Sequence, residues 1–177
     1  MLTRIDAAER NYPALFLALD EILDALEDGR PDEGALQRSF EDSAEGLGAH
    51  KALFLIVEEH HPPRLRALAS RGLSAQEVAA CENGLSVPGI SASRIREAID
   101  GGATVMVQDS GRIVGGIRTA ALRGRPSSVL CAPVVDPRTR EVLAVLYVQH
   151  RQAFGELYRA WIEVYARALG RAMAIPR

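Results

Sequence analysis

Two stretches of this chain, Ala52-Leu-Phe-Leu-Ile-Val57 and Val142-Leu-Ala-Val-Leu-Tyr-Val148, are apolar at every position. A strand wet on one face alternates apolar and polar residues, so strands of this kind need cover on both faces. That requirement narrows the fold to a sheet with helices above and below. The 177 residues suffice for one such domain with an appended helix, and not for a second enzyme. The apolar content of 47% and charged content of 25% exclude a disordered chain.

Helices able to supply those layers can be read from spacing and caps. Asn11 is placed to cap a helix running to about Asp28, with Pro13 in its first turn and Gly29 beyond its end. Tyr12, Phe16, Leu19, Leu23 and Leu26 recur on it at alternating spacings of four and three, with Leu15 and Ile22 widening the seam. Pro31-Asp32 opens a second helix, with Leu36, Phe40, Ala44 and Leu47 on one face. Ser74-Ala-Gln-Glu77 has the form of a capping box for a short helix through Cys81. Ser91 or Ser93 caps another, carrying Ile95, Ala98 and Ile99 and stopped by Gly101-Gly102. A last helix is expected from about Phe154 to Met173, with Tyr158, Trp161, Tyr165, Ala168 and Ala172 at spacings of three and four.

Between them fall the strands. Pro62-Pro63 turns the chain after the 52–57 run, and Leu65 to Ala69 returns as its hairpin partner. Thr104 to Val107 and Val129 to Val135 are two more, and Asp136 to Glu141 links the latter to 142–148 as a hairpin. The expected order is α-α-β-β-α-α-β-β-β-α. This is an α/β (α+β) three-layer α/β/α sandwich around a mainly antiparallel sheet of about five to six strands.

Asp109 to Ser127 breaks the pattern with Gly111, Gly115, Gly116, Gly124 and Pro126, which predicts a long loop over one face of the sheet. Arg112, Arg118, Arg123 and Arg125 occur there without an intervening acid, beside Asp109 and Ser110. Guanidinium forks bind carboxylate or phosphate bidentately, and glycine amides add donors, so the loop suits an anionic small molecule such as a nucleotide. The same residues also suit a solvated loop or one resting on a downstream domain.

Charge is unevenly divided. Residues 1–50 hold 12 acids and 4 arginines, while residues 51–177 hold 11 acids and 17 basic residues. The basic excess is diffuse and lacks interleaved aromatic residues, so no direct nucleic-acid partner is expected. Lys51 is the single lysine, and no glycine-rich phosphate loop precedes it. No apolar run approaches the roughly 20 residues that span a bilayer, and the N-terminus lacks the pattern of a secretion signal. Two cysteines, Cys81 and Cys131, are too few for a disulfide scaffold and suit a cytoplasmic protein.

Catalytic and metal chemistry find little support. Gly84-Leu-Ser86-Val-Pro88 falls short of a nucleophile elbow, because proline stands at the second glycine. His60 and His61 are adjacent, as at a hairpin tip, and His50 and His150 flank strand ends as structural residues. No cluster has metal-ligand spacing, so no catalytic residue and no metal ligand is assigned, and no cofactor is named.

Three segments together resemble the GAF family. They are Ala67-Leu-Ala-Ser-Arg-Gly-Leu73, Ile90-Ser-Ala-Ser-Arg-Ile-Arg-Glu-Ala-Ile-Asp-Gly-Gly-Ala-Thr-Val105 with Gln108-Asp109, and Ser127-Ser-Val-Leu-Cys-Ala-Pro-Val134 followed by Val142 to Val148. Ala144 stands where the family usually has glycine. The resemblance covers about residues 32 to 174. Its wording is most similar to the N-terminal sensory GAF domains of bacterial enhancer-binding, alternative sigma factor-dependent transcription regulators. In those an AAA+ ATPase and a DNA-binding helix-turn-helix follow. Neither lies within these residues, so the chain is expected to be the excised sensor or a stand-alone version.

The resemblance implies a ligand pocket on the sheet face under the long loop, drawing on Ser91, Arg94, Asp109, Ser110, Arg112, Arg118 and Cys131. It also implies a homodimer built from the first helix (residues 1–30) and the C-terminal helix (154–174) of a GAF domain at 31–177. Tyr12, Phe16, Leu19, Leu23, Leu26, Tyr158, Trp161 and Tyr165 would form that interface, since both seams carry more apolar width than one contact needs. The function expected is a non-enzymatic small-molecule sensor regulating an output domain, of which an AAA+ domain is one. The alternatives are a structural dimerisation module with an empty pocket and a free methionine sulfoxide reductase. The latter needs reactive thiols, and an apolar strand keeps Cys131 inert.

Overall fold

The computed structural model describes residues 7–27, 29, 31–60, 62–85, 87, 89–108, 128–151 and 154–175, without the side chains of 7–14, 27 and 108. The helices are α1 (Ala7–Glu27), α2 (Glu33–Gly46), α3 (Ala75–Glu82), α4 (Ala92–Gly101) and α5 (Glu156–Met173). The strands are β1 (Lys51–His60), β2 (Pro63–Arg71), β3 (Val105–Gln108), β4 (Ser128–Val135) and β5 (Val142–His150). Their order along the chain is the expected one. The strands form one sheet in the order β2-β1-β5-β4-β3, and each neighbouring pair is antiparallel.

Both faces of the two apolar strands are covered, as their composition demands. From β1, Ala52 and Phe54 enter a core with Leu15 and Ile22 of α1, Phe40 and Ala44 of α2, and Ile162, Tyr165 and Leu169 of α5. Leu53 and Leu55 point the other way, into a second core with Cys81 of α3, Ile95, Ala98 and Ile99 of α4, and Cys131, Val145 and Tyr147. The sheet thus lies between a layer of three helices and a layer of two.

Local chemistry sets the helix boundaries. Asp32 caps α2 by accepting the Ala35 N–H at 2.7 Å. Ser74 and Glu77 form the expected capping box on α3. Ser91 precedes α4 but makes no side-chain cap bond, and Gly102 ends that helix in the left-handed region at φ 57°. The first helix corrects the sequence reading, because it begins at Ala7 rather than after Asn11. Pro13 therefore sits beyond the first turn, where it removes a backbone hydrogen bond from α1.

One buried polar relay joins the three-helix layer. The Ser39 hydroxyl donates to the Ala18 carbonyl at 2.8 Å and lies 2.8 Å from the Tyr165 hydroxyl. Since its one proton goes to Ala18, Tyr165 is the donor to Ser39. The relay fixes α1, α2 and α5 relative to one another at a level that apolar packing alone leaves free to slide.

Candidate functional site

The α3–α4 face of the sheet is apolar over most of its length and polar at one end. Cys131, Tyr147 and Leu53 lie side by side across β4, β5 and β1, and the next inward-facing row is Val129, Gln149 and Lys51. Gln149 and Tyr147 share this face because strand side chains alternate with a period of two. Tyr147 is fully buried, and a buried tyrosine needs a partner for its hydroxyl. It finds two: the hydroxyl accepts the Ser91 backbone N–H at 3.4 Å and donates to Gln149 Oε1 at 3.2 Å. Burial holds the Tyr147 hydroxyl protonated, well above the usual tyrosine range.

Lys51 stands beside this pair with its side chain 19% exposed, and its Nζ meets Glu77 Oε1 at 3.4 Å. The Glu77 carboxylate is held below its usual pKa by the Ser74 N–H and hydroxyl, with Lys51 adding to that. The bare backbone of Gly89 lies against the same ammonium, 3.5 Å from where a β-carbon would stand. The polar end of the face thus exposes part of a cation and a carboxylate, Lys51 and Glu77, beside the buried and mutually satisfied Tyr147–Gln149 pair.

This is also the sheet end at which the connection between β3 and β4 leaves and returns. Gln108, the last residue of β3, pairs with Ser128, and Ser128 pairs with His150. Ser128 and Gln149 are the two buried polar side chains of the sheet among the described residues. Toward the opposite end the face is filled. Between α3, α4 and β2 a cavity of about 40 Å³ remains, lined by Leu65, Cys81, Ile90, Ile95 and Ile99. It would hold a few waters and is far below the roughly 300–1,000 Å³ of a small-molecule site.

The residues expected from the sequence divide accordingly. Ser91 sits at the polar end, where its backbone binds Tyr147. Cys131 is a wall residue, fully buried, with burial pushing its thiol up to about 12. Arg94 is part-exposed and forms an ion pair with Glu97 on its own helix. Asp109, Ser110, Arg112 and Arg118 lie outside the described residues. Sequence reasoning missed Tyr147, Gln149 and Lys51. Its available signal was a tyrosine inside an otherwise aliphatic strand, whose hydroxyl had to be satisfied by a neighbour.

The thiols are poor nucleophiles. Cys81 is buried too, and burial followed by the Glu77 charge raises its pKa above the usual thiol value. A thiolate is the reactive form, and both sites disfavour it. His150 packs its ring on Phe154 and Tyr158, with centroids at 5.8 and 6.4 Å. His50 has a buried Nδ1 without a hydrogen-bond partner among the described residues, and its pKa is lowered by burial and then by Arg151. Among the described residues, no group of three His, Cys, Asp or Glu side chains could hold a metal ion.

The apolar seams of the end helices face differently from the expectation. Tyr158 and Tyr165 are buried in the chain's own core and are not available to a partner. The reason is that α5 lies directly on the sheet, so 158, 162, 165, 169 and 172 form its inward stripe. Leu19, Leu26 and Trp161 are half-buried against that core, with Trp161 stacked on Tyr165 at 5.0 Å. Phe16 and Leu23 are exposed, at 57% and 46%, and Leu17, Leu157 and Val164 join them. The Tyr12 side chain lies outside the described residues. No described helix is long and apolar enough to cross a membrane.

No family model matches the sequence, and no curated protein is similar to it. The similarity lies in the fold. The A. aeolicus nlh2 GAF domain in an inactive state is similar with a TM-score of 0.60, covering 92% of this chain and 97% of that one at 16% identity. The GAF domain of a phosphoenolpyruvate-protein phosphotransferase from Coxiella burnetii is similar at 0.60, covering 90% and 92% at 18% identity. The methionine sulfoxide reductase fRMsr of Staphylococcus aureus, solved in complex with substrate, is similar at 0.57, covering 90% and 95% at 15% identity. The chain has the fold of GAF domains.

Proposed function

We propose that this GAF-fold chain is a sensory domain that binds a small molecule at the polar end of its α3–α4 face and regulates an output domain as a homodimer. The observation that carries the proposal is the Ser91–Tyr147–Gln149 relay beside Lys51 and Glu77, at the end of an otherwise apolar face. Buried polar groups are costly unless satisfied, and their convergence at the end of a mostly apolar face, where the β3–β4 connection leaves and returns, favours a small-molecule site. Lys51 and the arginines Arg112 and Arg118, the latter taken from the sequence pattern, favour an anionic ligand. Cytoplasmic signalling, including transcription regulation through an AAA+ output domain, is the setting that the sequence resemblance suggests.

Dimerisation is read from the exposed faces of α1 and α5, which pack together in one layer. Phe16, Leu17 and Leu23 of α1, with Leu157 and Val164 of α5, are the large apolar side chains exposed there. Single exposed apolar residues are ordinary, but five on two adjoining helices form a patch that a second copy would cover. Ligand binding would act by population shift, favouring one of two arrangements of α1 and α5. The reductase alternative has a fold relative in its favour, and the burial of both thiols weighs against it.

Native mass spectrometry of the protein, followed by titration with cyclic nucleotides and small organic anions, tests the ligand. A bound small molecule lost in Tyr147→Phe and Gln149→Leu is the expected result. An empty protein whose Ser91 and Gln149 amide signals respond to none of the compounds would leave only a structural module. Turnover of free methionine sulfoxide that disappears in Cys81→Ser would establish the enzyme instead.

A further inference from the structure

A second concavity lies at the opposite end of the sheet, where β4 ends, β5 begins and the α4–β3 turn passes beneath α5. It has a volume of about 320 Å³, with Pro133, Val135 and Pro137 as apolar walls and Thr104 beside them. Three arginines line it: Arg140 from the β4–β5 hairpin, and Arg167 and Arg171, one turn apart on α5. Glu163 also lines it, but its carboxylate accepts from Arg159 Nε at 3.0 Å.

Elsewhere on the described surface most arginines have carboxylate partners; Arg96, Arg138 and Arg151, which are not gathered in a cleft, have none among the described residues. Arg38, Arg71, Arg94 and Arg159 each pair with one carboxylate, and Arg64 and Arg66 with two. In another large cleft, beside α2, Arg66 bridges Glu33 at 2.8 Å and Glu58 at 3.2 Å. Arg140, Arg167 and Arg171 pair with no carboxylate among the described residues. Like charges gathered in one concavity repel each other and focus a positive field on whatever enters it.

The hairpin holds its arginine rigidly. The Asp136 carboxylate accepts the Arg138 N–H at 2.7 Å and the Thr139 N–H at 3.3 Å, and the Arg140 N–H bonds back to the Asp136 carbonyl at 2.9 Å. This turn keeps Arg140 at φ 66°, a conformation that a residue with a β-carbon rarely adopts. From the other side, Gly170 lets α5 rest on the Val135 backbone, which brings Arg167 and Arg171 over the hairpin.

We infer that this cleft is a site for a compact polyanion bearing two or more phosphate or carboxylate groups, separate from the Gln149 end. Three guanidinium forks supply paired donors, the Thr104 hydroxyl adds one, and the proline walls exclude water from one side. Phosphate and carboxylate ligands share this chemistry, and separate probes distinguish them.

The test is calorimetric titration of the full chain at low ionic strength with inorganic pyrophosphate and, separately, citrate, backed by amide NMR. The wild type binds at least one of them, with shifts at Thr104, Arg167 and Arg171. Each lost charge-assisted contact weakens association by about tenfold, so Arg140→Gln loses about tenfold and the Arg167→Gln, Arg171→Gln double variant about a hundredfold. Arg64→Gln, on β2, leaves binding unchanged. Pyrophosphate binding alone assigns a phosphoryl ligand, and citrate binding alone a carboxylate. Silence from both anions, undiminished binding by the double variant, or shifts confined to Ser91 and Gln149 would each overturn the site. The last outcome would leave the sensory proposal standing.

Discussion

Gly170, a residue without a side chain, lets α5 rest close against the backbone of β4. A β-carbon on Gly170 would stand 2.3 Å from the Val135 carbonyl oxygen and 3.2 Å from its carbon. The first distance is more than 1 Å short of the ~3.5 Å at which non-bonded heavy atoms rest comfortably. The obstacle is strand backbone, so no rotamer change relieves it, and Gly170→Ala requires α5 to lift or β4 to bend. Overpacking of this kind costs about 2–3 kcal/mol, against about 1 kcal/mol gained from alanine's better helix propensity. The net is a loss of about 1–2 kcal/mol, a fall in Tm of roughly 2–8 °C for a domain of this size. Gly101, at the end of α4, is the control, because a β-carbon there meets nothing within 4 Å. Thermal and urea unfolding followed by circular dichroism should show Gly101→Ala neutral or stabilising and Gly170→Ala destabilising. If both raised the Tm alike, the contact between α5 and Val135 would not be as close as described.

Three further outcomes are expected. Ser39→Ala removes one of the two serine hydroxyls against the fully buried Tyr165 hydroxyl, leaving Ser43, and costs about 1 kcal/mol; adding Tyr165→Phe makes the double variant less unstable than the sum of the singles in urea titrations. His50 has its pKa lowered by burial and by Arg151, so the stability tied to its neutral form is present above the unfolded value of about 6.5 and is lost as pH falls through the folded value. Urea midpoints should therefore decline more steeply from pH 7.5 to 5.5 in the wild type than in His50→Gln, and parallel profiles would contradict this. Val164→Glu, on the exposed flank of α5, should convert the proposed dimer to a monomer in sedimentation at tens of micromolar, with a Tm no lower than loss of the dimer requires, whereas an unchanged sedimentation coefficient would remove that flank from the interface.

What could be read in advance follows from how local each cause is. The apolar runs at 52–57 and 142–148 require cover whatever their neighbours do, and both are covered. The Ser74–Glu77 box and the Gly102 stop involve residues within one turn of each other, so the sequence alone contains them. The start of α1 was misplaced because Pro13 suits a first turn so well that the residues before it looked unnecessary. Tyr147 and Gln149 were overlooked because their significance depends on Ser91, which is 56 residues from the tyrosine along the chain. Periodicity likewise found the stripes of α1 and α5 without saying which side the sheet would take. On α5 the sheet took Tyr158 and Tyr165, leaving Leu157 and Val164 outside.

That orientation bears on how the two ends of the molecule could communicate. At 100° per residue, α5 turns an inward stripe through Ile162, Tyr165 and Leu169 to the sheet, while Val164 lies about 20° from Arg171 and about 60° from Arg167, so the exposed apolar flank and the arginines of the cleft share one side of the helix. The strands beneath it, β4 and β5, carry Gln149 and Tyr147 near one end and the arginine cleft at the other. Close-packed interiors transmit displacement rather than absorb it, and Gly170 leaves no slack between helix and strand. A ligand that draws Arg167 and Arg171 toward Arg140 therefore pulls on the same helix that exposes Val164. Occupancy of the arginine cleft should accordingly change the dimer dissociation constant, and by linkage the dimer should bind the polyanion with altered affinity by the same factor. Sedimentation with and without pyrophosphate measures one side of that equality, and calorimetry at protein concentrations above and below the dimer dissociation constant the other. A factor of one on both sides would mean that the cleft and the helix face are not coupled through α5.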